Sequence, residues 1–351
     1  MGRHDLTALT SPRQRFPRWL APVLGYAVSI ACLVWVYHGF DWKAELPKIF
    51  ATDWRWVAVA VICDVCVYVV QGWRWSLVLQ PIRRVPVIRS VQGVYIGLFA
   101  NEVLPFRTGE VIRACLQSKW HRLPFSVAGS SVLIERLLDG VWLVLGFFVV
   151  TLFIELPGPF VAGARVLTGV VAVVGILLTL AVLHRKRARA VVRNSRWAGV
   201  LRQVVDGAHD MGRSRSFLLA AAASLLYLSL QVMPVYALAR GYGLGLSFGA
   251  VAVVLVILRL GSVVPQAPSN VGLFQFCAVV GLGLFGIGKD QATSFATLLF
   301  VVVTVPLWLG GFIALLATKM RLTELRHDAA AELRRSQAKL DQEQEEPALV
   351  A

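Results

Sequence analysis

Long apolar segments constrain the fold of this chain more than any other feature of its sequence. A helix needs about 20 mainly apolar residues to cross the hydrocarbon core of a bilayer. Six segments reach that length: residues 19–37, 54–79, 125–153, 161–183, 217–239 and 292–318. The composition agrees, since 57% of the 351 residues are hydrophobic and only 16% are charged. The sequence therefore predicts an all-α integral membrane protein, a polytopic helical bundle with about six full spans.

Two further apolar segments, residues 91–116 and 249–287, are interrupted by polar residues, proline and glycine. The interruptions run from Asn101 to Glu110 and from Pro265 to Gly272. Non-helical backbone at membrane depth is tolerated only where protein or a water-filled cavity satisfies its polar groups. We therefore expect two re-entrant broken-helix hairpins.

Basic residues predict the orientation, because short cytoplasmic loops are rich in Lys and Arg. If both hairpins return to the side they came from, the segments on one side hold 24 basic residues and those on the other side hold four. This places both termini in the cytoplasm of a multi-pass protein of the cell inner (plasma) membrane. The net charge of +15 then belongs to the membrane face, and no nucleic-acid partner is expected.

The predicted parts are a cytoplasmic N-terminus, a transmembrane domain and a cytoplasmic tail. They cover residues 1–18, 19–318 and 319–351. A basic loop at 184–215 contains nine Lys and Arg residues. It fits an amphipathic helix on anionic lipid and, equally, a loop whose charge only fixes topology.

The transmembrane domain contains a predicted internal repeat, with halves at about 54–153 and 217–318. Each half reads as a span, a broken hairpin and a span, and the two halves enter from opposite sides. The breaks share a Pro-x-x-x-Gly spacing, Pro105 with Gly109 and Pro268 with Gly272, and the offset of 163 residues equals that between the first spans. This predicts an inverted repeat, a device typical of transporters. The alternative is that proline and glycine merely kink packed helices.

Ten charged residues lie within the predicted membrane depth, five acidic and five basic. They are Asp64, Glu102, Glu110, Glu135 and Asp139, and Arg74, Arg107, Arg113, Arg136 and Arg259. Such charges are costly in lipid, so they usually face a cavity or pair with one another. Six of them have a structural alternative. Arg74 and Arg113 could snorkel to the surface, while Asp64 and the group Glu135, Arg136 and Asp139 could form a static ion-pair lock.

We place substrate or gate contacts at Arg107 and Glu110, which flank Gly109 at the predicted tip of the first hairpin. Arginine suits a lipid phosphate because its planar guanidinium binds two oxygens at once. Arg259, before the second break, is the second candidate. The predicted cavity is lined by Arg107, Glu110, Glu135, Arg136, Asp139 and Arg259.

Motifs for catalysis, metals and cofactors are not found in the sequence. The five cysteines lie in apolar or half-apolar segments, and the Cys63-x-x-Cys66 pair has no second ligand pair. The histidines are isolated, and there is no nucleotide loop or metal spacing. We expect no catalytic residue, no metal and no cofactor.

The motifs resemble the flippase-like family that includes the transmembrane region of lysylphosphatidylglycerol synthases. The resemblance rests on Asn101-Glu102-x-Leu104-Pro105-x-Arg107-x-Gly109-Glu110 with Arg113, on Glu135-Arg136-Leu137-Leu138-Asp139, and on Pro265-x-x-Pro268-x-x-x-Gly272. The chain departs from the family pattern where Ser269 and Asn270 replace paired glycines and where Gln275 replaces a glutamate. The candidate substrate-binding or gating residues are Asn101, Glu102, Pro105, Arg107, Gly109, Glu110, Arg113, Glu135, Arg136, Asp139, Arg259, Pro265, Pro268, Gly272 and Gln275.

The resemblance implies a membrane lipid flippase or transporter that moves a phospholipid or other lipid-linked substrate between leaflets. Its expected partners are membrane lipids with a phosphate-bearing headgroup. The soluble aminoacyltransferase domain that some relatives carry is not expected in the residues after 318, so we do not expect this chain to synthesise lysylphosphatidylglycerol. The alternatives are a membrane-embedded enzyme, or an accessory subunit with a lipid- or glycan-synthesising partner, in cell-envelope biosynthesis. A third alternative is a scaffold that only recruits partners.

Overall fold

The computed structural model describes residues 20–104, 108–151, 215–262 and 267–328, with single residues between 162 and 176, residues 330–332 and residue 334. Several sequence predictions lie outside the described residues. These are the N-terminus, most of the span at 161–183, almost all of the basic loop at 184–215, the end of the tail, and the candidates Pro105, Arg107 and Pro265.

The described part of the chain is helical and contains no strand. The helices are α1 (Leu20–Tyr37), α2 (Trp42–Phe50), α3 (Trp54–Leu79), α4 (Val87–Val103), α5 (Gly109–His121), α6 (Phe125–Thr151), α7 (Arg215–Gly241), α8 (Phe248–Gly261), a 3-10 turn (Pro268–Asn270), α9 (Leu273–Gly283) and α10 (Lys289–Thr318). Residues 322–328 are also helical.

Three of the described helices, α3, α7 and α10, are long and apolar enough to cross a membrane. A fourth span results if α1 and α2, whose axes differ by 93°, are counted as one bent pair. Helix α6 has 27 residues, but Glu135, Arg136 and Asp139 interrupt its apolar surface. These helices lie within a few residues of the predicted spans, and α3 has the predicted bounds of 54–79.

Helix α2 was not predicted from the sequence, because it has only nine residues and no apolar run. Its N-cap is Asp41, whose carboxylate accepts hydrogen bonds from the backbone N–H groups of Lys43 and Ala44. Its buried Glu45 accepts a hydrogen bond from the Ser294 hydroxyl at 2.9 Å, which ties α2 to α10.

The first broken segment folds as an antiparallel pair, α4 and α5. Near its open end Gln117 donates to the Ser90 hydroxyl, and near its tip the Gly109 N–H donates to Asn101 Oδ1 at 2.8 Å. The backbones approach so closely that a Cβ at Gly109 would lie 1.7 Å from the Gly97 carbonyl oxygen. Glycine at both positions permits this packing.

The second broken segment, α8 and α9, is also an antiparallel pair. Gly261 packs against Cys277, and one helical turn farther along the pair Gly281 packs against Ile257. With 14 and 11 residues, both helices are shorter than the roughly 20 residues needed for a span.

Helices α3 and α7 share the largest helix–helix interface and form the centre of the molecule. Around them, α4 packs against α10 and α6 packs against α8, while α3 also contacts α10 and α7 also contacts α6. Each hairpin therefore packs against long helices from both segments, 54–153 and 217–318.

Candidate functional site

A cavity of about 270 Å³ lies where the two halves meet. Helices α3 to α10 and the 3-10 turn each contribute to its wall. Its polar and aromatic lining residues are Asp64, Tyr68, Gln71, Asn101, Glu102, Glu110, Arg136, Tyr227, Gln231, Arg259, Ser262, Ser269, Asn270, Phe274, Phe300 and Thr304. The volume corresponds to roughly nine water molecules at ~30 Å³ each.

One side of this cavity is supported by a chain of six alternating charges, which we call the ion chain. Its members are, in order, Arg113, Glu135, Arg74, Asp139, Arg136 and Glu110. They come from α3, α5 and α6, and their formal charges sum to zero. A neutral set of this kind is what burial in a membrane domain requires.

The inner end of the ion chain is fully buried. Glu135 binds Arg113 Nη2 at 2.6 Å through one oxygen and Arg74 Nη2 at 3.2 Å through the other. Arg74 also donates to Asp139 and lies over the Tyr227 ring, 4.6 Å from its centroid. Since Arg74 and Arg113 are 0% and 2% exposed, the alternative that they snorkel to the surface is wrong.

The outer end of the ion chain reaches the cavity. Arg136 Nη1 donates to Asp139 Oδ2 at 3.3 Å, and Arg136 Nε lies 2.9 Å from Glu110 Oε1 without the alignment of a hydrogen bond. The side chains of Arg136 and Glu110 are 39% and 37% exposed. Their charges therefore compensate each other at the cavity wall.

Arg259, in the last turn of α8, also lines the cavity. Its Nη2 donates to Gln231 Oε1 at 2.5 Å, and its side chain is exposed. Among the described residues no carboxylate lies within ion-pair distance of it. Its guanidinium is therefore available to an anion that enters the cavity.

Two acceptor atoms on α3 also face this cavity. Asp64 is 6% exposed and Gln71 is 2% exposed. Asp64 Oδ2 and Gln71 Oε1 have no hydrogen-bond partner in the described structure. Asp64 and Gln71 are seven positions apart, so they lie on one face of α3, about two turns from each other.

The two helical breaks meet beside the cavity. The Ser269 hydroxyl donates to the Glu102 carbonyl oxygen at 3.0 Å and so links the second break to the end of α4. Ser269 and Asn270 both have left-handed φ values, 60° and 54°. Glycine adopts such conformations without strain, whereas a residue with a side chain does so at some cost in backbone strain. At position 269 the serine that stands in place of glycine provides the hydroxyl that binds Glu102.

Gly272 and Gln275 hold the second break rather than line the cavity. Gly272 has φ +88°, and a Cβ there would lie 2.2 Å from the Ser29 carbonyl oxygen of α1. Its N–H donates to Gln275 Oε1 at 2.7 Å, which caps the start of α9. Gln275 is therefore engaged in local structure, and Pro268 begins the 3-10 turn.

The predicted site residues thus fall into three groups. Asn101, Glu102, Glu110, Arg136 and Arg259 line the cavity. Arg113, Glu135 and Asp139 lie behind it in the ion chain. Glu135 and Asp139, which we predicted to line the cavity, are therefore not among its lining residues. Gly109, Pro268, Gly272 and Gln275 shape the two breaks.

Sequence reasoning missed the uncharged part of the lining and the central position of Arg74. Tyr68, Tyr227 and Gln231 line the cavity, but in the sequence they are single polar or aromatic residues within apolar helices. Their spacing could have indicated a shared helix face, because Tyr68 lies one turn after Asp64 and Gln231 lies one turn after Tyr227. No group of three His, Cys, Asp or Glu side chains able to hold a metal ion occurs in the described ranges.

Comparison with known proteins agrees with this architecture. The family profile of the lysylphosphatidylglycerol synthase TM region matches residues 23–311. That profile describes a membrane region, and the match includes no catalytic domain. A UPF0104 membrane protein of Methanothermobacter thermautotrophicus is 24% identical over 299 residues, which cover 77% of this chain and 86% of the relative.

A second UPF0104 membrane protein, from Methanocaldococcus jannaschii, is 30% identical over 129 residues. This match covers 34% of this chain and 38% of the relative. The family profile spans most of the chain, including both broken segments, the ion chain and the cavity. The chain is therefore a membrane protein that belongs to the family of the lysylphosphatidylglycerol synthase transmembrane region.

Proposed function

We propose that this protein is a lipid flippase or transporter that moves a phospholipid, or another lipid with a phosphate-bearing headgroup, between leaflets. The observation that carries the proposal is the cavity between the two halves, which Arg259 lines without a carboxylate partner among the described residues. A guanidinium in this position can bind two oxygens of a phosphate at once. The small cavity volume fits a headgroup whose acyl chains stay in the surrounding lipid.

The ion chain supports this proposal by giving the cavity a rigid wall. Because its six charges neutralise one another, Arg136 and Glu110 can face a polar cavity at membrane depth without a net buried charge. Arg259, in contrast, has no carboxylate within ion-pair distance among the described residues, and its side chain is exposed. An anion that enters the cavity can therefore pair with it.

The internal repeat is part of the proposal. Three pairs of cavity-lining residues, Asp64 with Tyr227, Tyr68 with Gln231, and Gln71 with Pro234, are each 163 positions apart. Exchanging the two halves also exchanges the α4–α10 contact with the α6–α8 contact. Both features support an inverted repeat with re-entrant hairpins, in which the halves rock about a central site.

The remaining assignments follow from this proposal. We propose six spans and two re-entrant hairpins in a multi-pass protein of the plasma membrane, and the distribution of basic residues supports both termini in the cytoplasm. The chain is then a transporter without a catalytic residue of its own, and a lipid- or glycan-synthesising enzyme would supply its substrate. Arg107 stays a candidate for headgroup binding from the sequence.

The test is translocation of fluorescent phospholipids by the purified protein in liposomes, with anionic, aminoacylated and polyprenyl-phosphate headgroups compared. We expect headgroup-selective movement that falls about 10-fold or more in Arg259→Gln, because a charge-assisted phosphate contact contributes roughly 1.5–3 kcal/mol. The matched control is Arg240→Gln, which neutralises an exposed arginine at the end of α7, outside the cavity lining.

If Arg259→Gln, Arg240→Gln and the unmodified protein all moved lipid at the same rate, Arg259 would not be the residue that binds the phosphate. No movement of any lipid by correctly folded protein would refute the transporter. Turnover of an added lipid precursor by the purified protein would favour the membrane-embedded enzyme instead.

A further inference from the structure

Asp64 is a carboxylate of the cavity wall that forms no salt bridge within the described residues. It is 6% exposed, and its Oδ2 has no hydrogen-bond partner there. An ionised carboxylate in such a place loses most of its hydration, and no ion pair makes up for that loss. The neutral acid avoids this cost.

The groups that face Asp64 come from five helices. On its own helix the Tyr68 side chain hydrogen-bonds to it, and Arg259 on α8 interacts with it electrostatically. Cys63 on α3 and Tyr95 on α4 also interact with its charge, and Tyr227 on α7 neighbours Tyr68. The cavity-lining residues of α10 are uncharged: Leu299, Phe300, Val303, Thr304 and Leu307. Arg259 is thus the one cation among these facing groups.

A metal cation does not fit this position. A hard cation such as Ca²⁺ takes six or more oxygen ligands within about 2.6 Å. The other unpartnered acceptor on the same helix face, Gln71 Oε1, belongs to a residue about 10 Å farther along the helix axis. One carboxylate and one phenol are too few ligands for a metal ion, whereas a proton needs only one oxygen.

We propose that Asp64 is a proton-binding site that couples proton uptake to binding of the substrate phosphate at Arg259. This inference rests on the proposed lipid transport. When Asp64 is ionised, its carboxylate attracts Arg259 and repels a phosphate. When Asp64 takes a proton from water in the cavity, that attraction and that repulsion both vanish, and Arg259 binds the phosphate more tightly.

The coupling is reciprocal, since two ligands that affect each other do so by the same factor. Lowering the pH therefore raises the affinity for the phosphate headgroup, and phosphate binding promotes protonation of Asp64. The proton is released to water as Asp64–COOH becomes Asp64–COO⁻ when the phosphate leaves. A pH gradient across the membrane then biases the direction of lipid movement.

The proton site can be tested without any lipid substrate. Infrared titration of the purified protein should show a carboxylic-acid C=O band that disappears as the pH rises. We expect this band to be missing in Asp64→Asn and retained in Asp290→Asn, which changes an exposed aspartate in the first turn of α10. A band that persists unchanged in Asp64→Asn, or no such band in the unmodified protein, would overturn the proposal.

The coupling is tested with dihexanoyl-phosphatidylglycerol, a soluble phosphate-bearing probe, by calorimetry in buffers of different ionisation enthalpy. We expect proton uptake on binding and about 10-fold tighter binding in acidic than in alkaline buffer. Asp64→Asn should bind tightly at every pH without proton uptake, and Asp64→Glu should restore the pH dependence. Binding that depends on Na⁺ but not on pH, or proton uptake abolished by Glu102→Gln and not by Asp64→Asn, would contradict the proposal.

Liposome transport separates the two proposals. Lipid movement that requires Arg259 but ignores a pH gradient would leave the transporter standing and exclude the coupling through Asp64. If no lipid moves while the infrared band is lost in Asp64→Asn, the proton site is present and the transporter assignment fails.

Discussion

At the scale of single residues, Arg74 determines whether the ion chain can exist. It is 0% exposed, and it contacts Glu135, Asp139 and the Tyr227 ring. If Arg74 is replaced by Gln, both carboxylates lose a cation, and Glu135 loses it in a fully buried position. Loss of one partner of a buried ion pair costs about 3–5 kcal/mol, so we expect Arg74→Gln to lower the thermal unfolding midpoint strongly.

The matched control is Arg83→Gln, which removes an exposed arginine beyond the end of α3. We expect no measurable shift in its unfolding midpoint. The double variant Arg74→Gln with Asp139→Asn should regain part of the lost stability, because the charges that remain in the ion chain again sum to zero. An equal midpoint for Arg74→Gln and Arg83→Gln, measured in the same detergent, would show that the ion chain does not stabilise the fold.

At the scale of elements, the α4–α5 hairpin depends on close contact between two backbones. A methyl group at Gly109 would clash with the Gly97 carbonyl oxygen and with Asn101 Oδ1, 2.7 Å away. We therefore expect Gly109→Ala to separate the two helices and destabilise the protein by more than about 3 kcal/mol, the upper part of the range for overpacking. The unfolding midpoint measures the effect.

Gly129 in α6 provides the comparison, since nothing lies within 4 Å of a Cβ built there. Alanine is the better helix former by about 1 kcal/mol, so Gly129→Ala should be neutral or slightly stabilising. If both glycine variants changed stability alike, the effect at Gly109 would be one of helix propensity and not of contact between α4 and α5.

At the scale of the whole molecule, the two helical breaks connect the halves through the Ser269–Glu102 hydrogen bond. If the halves rock during transport, this contact opens and closes. Cross-linking cysteines at positions 102 and 269 with a short reducible thiol reagent should therefore stop lipid movement in liposomes. Reduction of the cross-linker should restore it.

In each single cysteine variant, the transport rate after treatment with the same reagent should equal the rate of that variant before treatment. Because the chain has five native cysteines, the reagent is also applied to the unmodified protein. Unimpaired transport in the cross-linked double variant would mean that the two breaks do not separate during the transport cycle.

The sequence by itself determined the membrane class and the bounds of the long helices. Uninterrupted apolar segments have no stable alternative to helices in lipid, because every backbone polar group must be satisfied within the segment. For this reason the predicted 54–79 span and helix α3 have the same bounds. The family resemblance, read from the motifs around the two breaks, was confirmed by the profile that covers residues 23–311.

Only the tertiary structure determined which of the charged residues form ion pairs with one another. The sequence showed ten charges at membrane depth, but nothing in it distinguished Arg74 and Arg113, which are buried in the ion chain, from Arg259, which faces the cavity without a carboxylate. That difference depends on which carboxylates packing brings within about 4 Å, and these lie on other helices up to 65 positions away. Local sequence patterns describe one helix at a time, whereas the charge of a site is set by all the helices around it.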